Sequence, residues 1–184
     1  MAPVALNVAP SLRPWRQAGI THFLTVGNEL PRSHFHWPEA WQSLWTKIFT
    51  SSKRPAVVWT YAELGTDLRA QADAKRRQIL RTMIDELHLP GGSHAFWPYC
   101  LPPDNAPEPE MFLAGLARFR PRLVLLAGGQ TMVELNGLGS LPSVNFQIAS
   151  CRGFRFILLP GLTEIAEMPG PRREQLIAFI RKQV

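Results

Sequence analysis

The chain has 184 residues, 46% hydrophobic and 18% charged, a balance that suits one globular domain with a sizeable core and excludes wholesale disorder. Its formal charge of +6 permits an acidic partner (nucleic acid, a membrane surface or an acidic protein) without requiring one. Cys100 and Cys151 are its only cysteines, too few for a four-cysteine zinc or iron–sulfur centre, and no apolar run approaches the roughly 20 residues of a membrane helix.

The opening "MAPVALNVAPSLRPWRQAG" has no basic leader and is interrupted by Pro3 and Pro10, so it does not read as a signal peptide. Two unpaired thiols in apolar surroundings also suit a reducing compartment, and the expected location is the cytoplasm. Residues 1–35 show no helical or strand period and read as an N-terminal arm, leaving 36–184 as a single α/β domain. The arm is rich in large apolar groups for a polar tail. Trp15, Ile20, Phe23 and Leu24 fall between Pro10, Pro14 and Gly19, and burying each would release roughly 2–3 kcal/mol. Either they fold back onto their own domain, or they anchor in a partner as hot-spot aromatics do. His34 and His36, in "HFH", could share one side of an extended segment. A metal needs a third ligand that the chain does not offer beside them, so surface histidines and no cofactor are expected.

"PEAWQSLWTKIF" sets Trp41, Leu44, Trp45 and Ile48 at helical spacing and predicts a helix packed on a sheet. "AVVWTY" follows as a first strand, and then the polar stretch "AELGTDLRAQAD". "AKRRQILRTMIDELHL" predicts a helix with Ile79, Leu80, Met83, Ile84 and Leu87 on one face, stopped by "LPGG". "SHAFWPYC" is a second strand whose Pro98 demands an edge or a bulge. After the loop "LPPDNAPEPE", Pro109 and Glu110 suit a helix start, and Phe112, Leu116 and Phe119 line one face. "RLVLLAGGQ" is a continuous apolar run, as in a strand of a parallel sheet buried on both faces. A short helix at "TMVEL" and a Gly/Ser/Pro loop lead to a fourth strand, "FRFILLP". The closing "PRREQLIAFIRKQV" turns Leu176, Ile177 and Ile180 inward. Strands alternating with helices predict a three-layer α/β sandwich on a mainly parallel, four-stranded sheet.

Chemistry is sparse on this frame. "AGGQ", 127–130, could cradle a phosphate on backbone N–H groups, but it lacks the spacing of a dinucleotide or P-loop motif and reads as a tight turn. Glu63 and Asp67 are carboxylates near the crevice with no visible partner, and they read as solvated loop charges or, for Asp67, a helix N-terminal charge. No GxSxG elbow supports nucleophilic catalysis. The crevice between adjacent strand ends could also take a small molecule, though nothing in the sequence names one.

Two resemblances follow from these residues. The order "AVVWTYAELG", "SHAFWPYCLPP", "FRPRLVLLAGGQ" and "FRFILLPGLTEI" is similar in layout to the uracil-DNA glycosylase-like fold, a four-stranded parallel α/β sandwich, over most of 56–184. The catalytic motifs of that superfamily do not carry over. No counterpart of the water-activating position stands in "YAELGTD", "WPYC" replaces the base-binding Asn, and "PGLTEI" occupies the His-Pro-Ser signature. If a glycosylase-type, DNA-binding or base-excision role persisted, Arg152, Arg155, Arg172 and Arg173 would contact phosphate, and the crevice near Gly65 and Gly129 would take a flipped base. The second resemblance is narrower. "RPWRQAGITHFL" looks like the arm of the psi subunits of the bacterial DNA polymerase III clamp loader, a Gly-Ile-Thr step followed by an aromatic. "LPGLTEIAEMPGPRREQLIAFI" is similar to the psi carboxyl-terminal pattern. That likeness implies a non-enzymatic accessory subunit without a cofactor. Its arm, through Trp15, Ile20, Thr21, Phe23 and Leu24, would dock on the clamp-loader ATPase subunits. Its body would carry a chi-like subunit and, indirectly, single-stranded-DNA-binding protein. Thr163 or Glu164 would then cap a backbone turn, with no reaction to perform.

Overall fold

A computed structural model of the chain describes residues 38–49, 54–69, 72–128, 131, 135 and 145–184. The expected arm, with Trp15, Ile20, Thr21, Phe23 and Leu24, and the "HFH" pair lie outside these residues, as does most of "TMVEL".

Continuous apolar runs make the central strands. β1 (Val57–Tyr61) and β3 (Leu123–Ala127) are buried at every position, and β5 (Phe154–Leu159) is buried over its last four. Only a strand covered on both faces can take such a run, so all three sit inside the sheet. β2 (His94–Phe96) is the edge strand that Pro98 demands. The sheet order is β2-β1-β3-β5-β4, with β1 parallel to β2 and β3, and β3 parallel to β5. The fifth strand corrects the expected four. β4 (Ile148–Cys151) pairs antiparallel with β5 through a two-residue turn in which Arg152 and Gly153 both have positive φ, 51° and 81°. The sheet is therefore mixed, and its other edge is a hairpin strand.

Six helices are described. α1 (Glu39–Phe49) and α4 (Pro109–Phe119) cover one face of the sheet. There Trp41 and Leu44 from α1, and Phe112, Leu116 and Phe119 from α4, meet Val58, Val124, Phe156 and Leu158. Trp97 is the hub of this layer, with Trp41, Trp45 and Phe119 ring centroids 5.3–5.8 Å away. Its indole N–H donates to the Phe112 carbonyl at 3.1 Å. Gly115 of α4 lies flat against that ring, and a Cβ there would overlap the indole.

The opposite face carries α2 (Leu64–Arg69), α3 (Ala74–Leu87), α5 (Leu162–Ala166) and α6 (Gly170–Arg181). Leu80, Met83 and Leu87 of α3, with Leu176, Ile177 and Ile180 of α6, pack on Val57, Trp59, Leu125, Ile157 and Leu159. The helical faces follow the expected spacing, and the three layers are those expected. Two details differ. α2 occupies part of what the sequence presents as a polar loop. α3 ends on His88, whose φ of 52° supplies the left-handed stop in place of the glycines, and Gly92 serves the later turn into β2. Both cysteines are buried. No helix among the described residues is long and apolar enough to cross a membrane.

Candidate functional site

The carboxyl ends of the strands are the natural place to look for chemistry in such a sheet. After β1 the chain turns at Ala62 and Glu63 into α2, where Leu64, Asp67 and Leu68 share one face. Asp67 is not a solvated loop charge. It is buried, with both carboxylate oxygens engaged. Arg76 of α3 donates from Nη2 to Oδ1 at 2.6 Å and from Nε to Oδ2 at 2.9 Å, and the Tyr61 hydroxyl donates to Oδ2 at 2.9 Å. Burial alone would raise the carboxyl's pKa, but the hydrogen bonds from Arg76 and Tyr61 outweigh it and hold Asp67 below its ordinary range. The Tyr61 hydroxyl is driven far upward, first by burial and then by its bond to the carboxylate. Arg76 is held still more firmly protonated, chiefly by its bond to Asp67. A carboxylate held by three donors is a lock between the β1 end and α3. Glu63, by contrast, is exposed.

The other sequence-named features are also occupied. Gly128 has φ +92° and donates its N–H to the Leu159 carbonyl at 3.0 Å, so this glycine makes the tight turn of "AGGQ". Gly129 lies outside the described residues. Gly65 lies so close to the Cys100 carbonyl that a Cβ would overlap it, and Trp97, Tyr99, Cys100 and Leu101 are buried behind it. Backbone therefore fills the place beside Gly65 where a flipped base would enter. In "PGLTEI", Glu164 accepts from the Gly161 N–H at 2.8 Å and starts α5 as a cap.

The four arginines do not converge. Arg152 is exposed in the β4–β5 turn, and Arg155, also exposed, donates to the Gln183 side chain at 2.9 Å. Arg172 is exposed in the first turn of α6, while Arg173 makes a two-point pair with Glu86 at 2.7 and 3.1 Å. Arg155 is thus tied to a residue just past the carboxyl end of α6, and Arg173, in its first turn, to α3.

A pocket of about 350 Å³ opens between α3 and the β2 edge of the sheet. Leu64, Leu68, Leu80, Ile84, Phe96 and the Tyr61 ring form its apolar walls, with Asp67, Arg77, Arg81 and His94 among the polar groups that line it. Burial pushes the His94 ring toward its neutral form, and its Nδ1 is buried without a hydrogen-bond partner. A second, more polar hollow of about 400 Å³ lies over the Glu86–Arg173 pair between α3 and α6. Among the described residues no three His, Cys, Asp or Glu side chains gather where they could hold a metal ion.

Sequence reasoning passed over Tyr61, Arg76, Arg77, Arg81 and His94. For Asp67 a signal was present: with "LGTDLR" taken as a helix, Asp67 stands on the face of Leu64 and Leu68, and a charge on an apolar face needs a partner. No protein-family model matches the chain, and no curated protein matches it.

Proposed function

We propose that the chain is a non-enzymatic accessory subunit of the replicative clamp loader, similar to psi. In this reading it bridges the loader's ATPase subunits to a chi-like subunit and so to single-stranded-DNA-binding protein. One observation carries it. Three groups at the strand ends are spent on holding the fold: Asp67 on Arg76 and Tyr61, Glu164 on Gly161, and Gly128 on Leu159. A body built this way serves as a platform, and the uracil-DNA glycosylase-like layout supplies a stable sheet in place of base-excision chemistry. Binding energy then comes from the greasy residues of the arm, acting as hot-spot anchors in the partner.

The test is capture of clamp-loader ATPase subunits by the full chain and by its Trp15→Ala/Phe23→Ala variant. Loss of two hot-spot aromatics weakens binding by at least about thirtyfold. Undiminished capture by the variant, or release of a base from uracil-containing DNA by the wild type, overturns the proposal.

A further inference from the structure

The pocket beside β2 has no part in the platform role, and its construction is that of a ligand site. Its volume of about 350 Å³ falls within the range of small-molecule sites, and its walls are aliphatic and aromatic. Its charge is one-sided. The Asp67 carboxylate is already neutralised by Arg76. Arg77 and Arg81, one helical turn apart on the overhanging flank of α3, are exposed and pair with no carboxylate among the described residues. Arg77 makes only a long contact of 3.4 Å with the Ala72 carbonyl. Apolar walls to which two arginine side chains contribute, neither with a carboxylate partner among the described residues, call for a molecule with a greasy body and one anionic end.

We propose that this pocket binds a small amphipathic monocarboxylate. Its hydrocarbon part lies against Leu68, Leu80, Ile84 and Phe96, and its carboxylate is received by Arg77 and Arg81. Guanidinium forks suit carboxylates because two parallel N–H donors match the two oxygens. The apolar walls supply contact with any hydrocarbon, so the arginine pair is what separates an acid from a neutral molecule of the same shape.

The experiment titrates the full chain with octanoate and with octanol, following backbone amide shifts and heats of binding. Octanoate binds about tenfold more tightly than octanol, and the shifts centre on Ile84, His94 and Phe96. Arg77→Ala/Arg81→Ala, two exposed changes that leave the fold intact, removes the preference and makes the two ligands equal. Ile84→Glu sets a carboxylate at the wall and abolishes octanoate binding. The proposal is overturned if octanoate and octanol bind alike to the wild type, if neither binds at millimolar concentration, or if the shifts fall elsewhere. It also falls if the double-arginine variant keeps the preference, or if the same amides shift on simple dilution, which would assign the groove to a second copy of the chain.

Discussion

Asp67→Asn tests whether the strand-end carboxylate is a structural lock. The side chain keeps its shape and loses its charge. Arg76 is then left without a counter-ion, and the Tyr61 hydroxyl has a weaker acceptor. Removing one partner of a buried ion pair costs about 3–5 kcal/mol. Asp67 is at that limit, with 5% of its side chain exposed, but Arg76 is 29% exposed and recovers part of its hydration. The expected loss is therefore about 2–3 kcal/mol, or about 5–10 °C in melting temperature for a domain of this size. Tyr61→Phe removes one hydrogen bond, leaves the ion pair standing, and costs about 1 kcal/mol. The pH dependence has a definite sign. Because the folded pKa of Asp67 lies below its unfolded value near about 3.9, the unfolded chain takes up the proton first as pH falls. The stabilisation is complete above the unfolded value and drains away as pH drops toward the folded one. Urea unfolding followed by tryptophan fluorescence from pH 3 to 8 reads this directly. The gap between wild type and variant is constant above about pH 5 and narrows below about pH 4. A variant within about 0.5 kcal/mol of wild type at pH 7, or a gap unchanged at pH 3, refutes the lock.

Two substitutions probe the packing around it. Gly115→Ala drives a methyl group into the Trp97 indole, which is fully buried and bonded to Phe112, so the ring must move; a loss of about 2–3 kcal/mol by chemical denaturation is expected, with a changed near-ultraviolet tryptophan signal. Glu164→Ala frees the Gly161 N–H at the start of α5 and costs about 0.5–1 kcal/mol, measured the same way, with no change in the tryptophan signal.

Much of the fold was legible because burial on both faces leaves a plain mark. "VVWTY" and "LVLLA" carry no alternation, which admits only interior strands, and the helical faces of α3, α4 and α6 follow from their apolar spacing. β4 was missed for the opposite reason. "IASC" is an edge strand with Ile148 36% exposed and only Cys151 buried, so neither a run nor an alternation announces it. Its turn is Arg-Gly, where Asn-Gly or Asp-Gly would have signalled a hairpin. α2 escaped because six residues with a glycine at the second position have little helical signature; that glycine is there for the close passage of Cys100. The pocket was out of reach of spacing altogether. Its arginines, His94 and Phe96 meet only because β2 lies outside β1, and strand order is a property of the folded chain.

The same strand order sets α3 over the β2 edge of the sheet. α3 is fastened at both ends by side-chain pairs, and between them Leu80 and Met83 seat it on the sheet. In its first turn Arg76 is held by Asp67, and Asp73 caps the helix by accepting from the Arg76 N–H at 2.8 Å. In its last turn Glu86 pairs with Arg173, and its carbonyl accepts from Arg181. The two fastenings are unequal. The first is mostly out of water, whereas the second leaves Glu86 39% exposed and adds at most about 1 kcal/mol. Between them, Arg77, Leu80, Arg81 and Ile84 overhang an edge of the sheet where no further strand pairs with β2 among the described residues. A helix pinned at its first turn cannot roll down to bury that flank against Phe96 without breaking the Asp67 pair. A ligand entering the pocket then meets walls already in place, with little ordering cost to set against the contacts it gains.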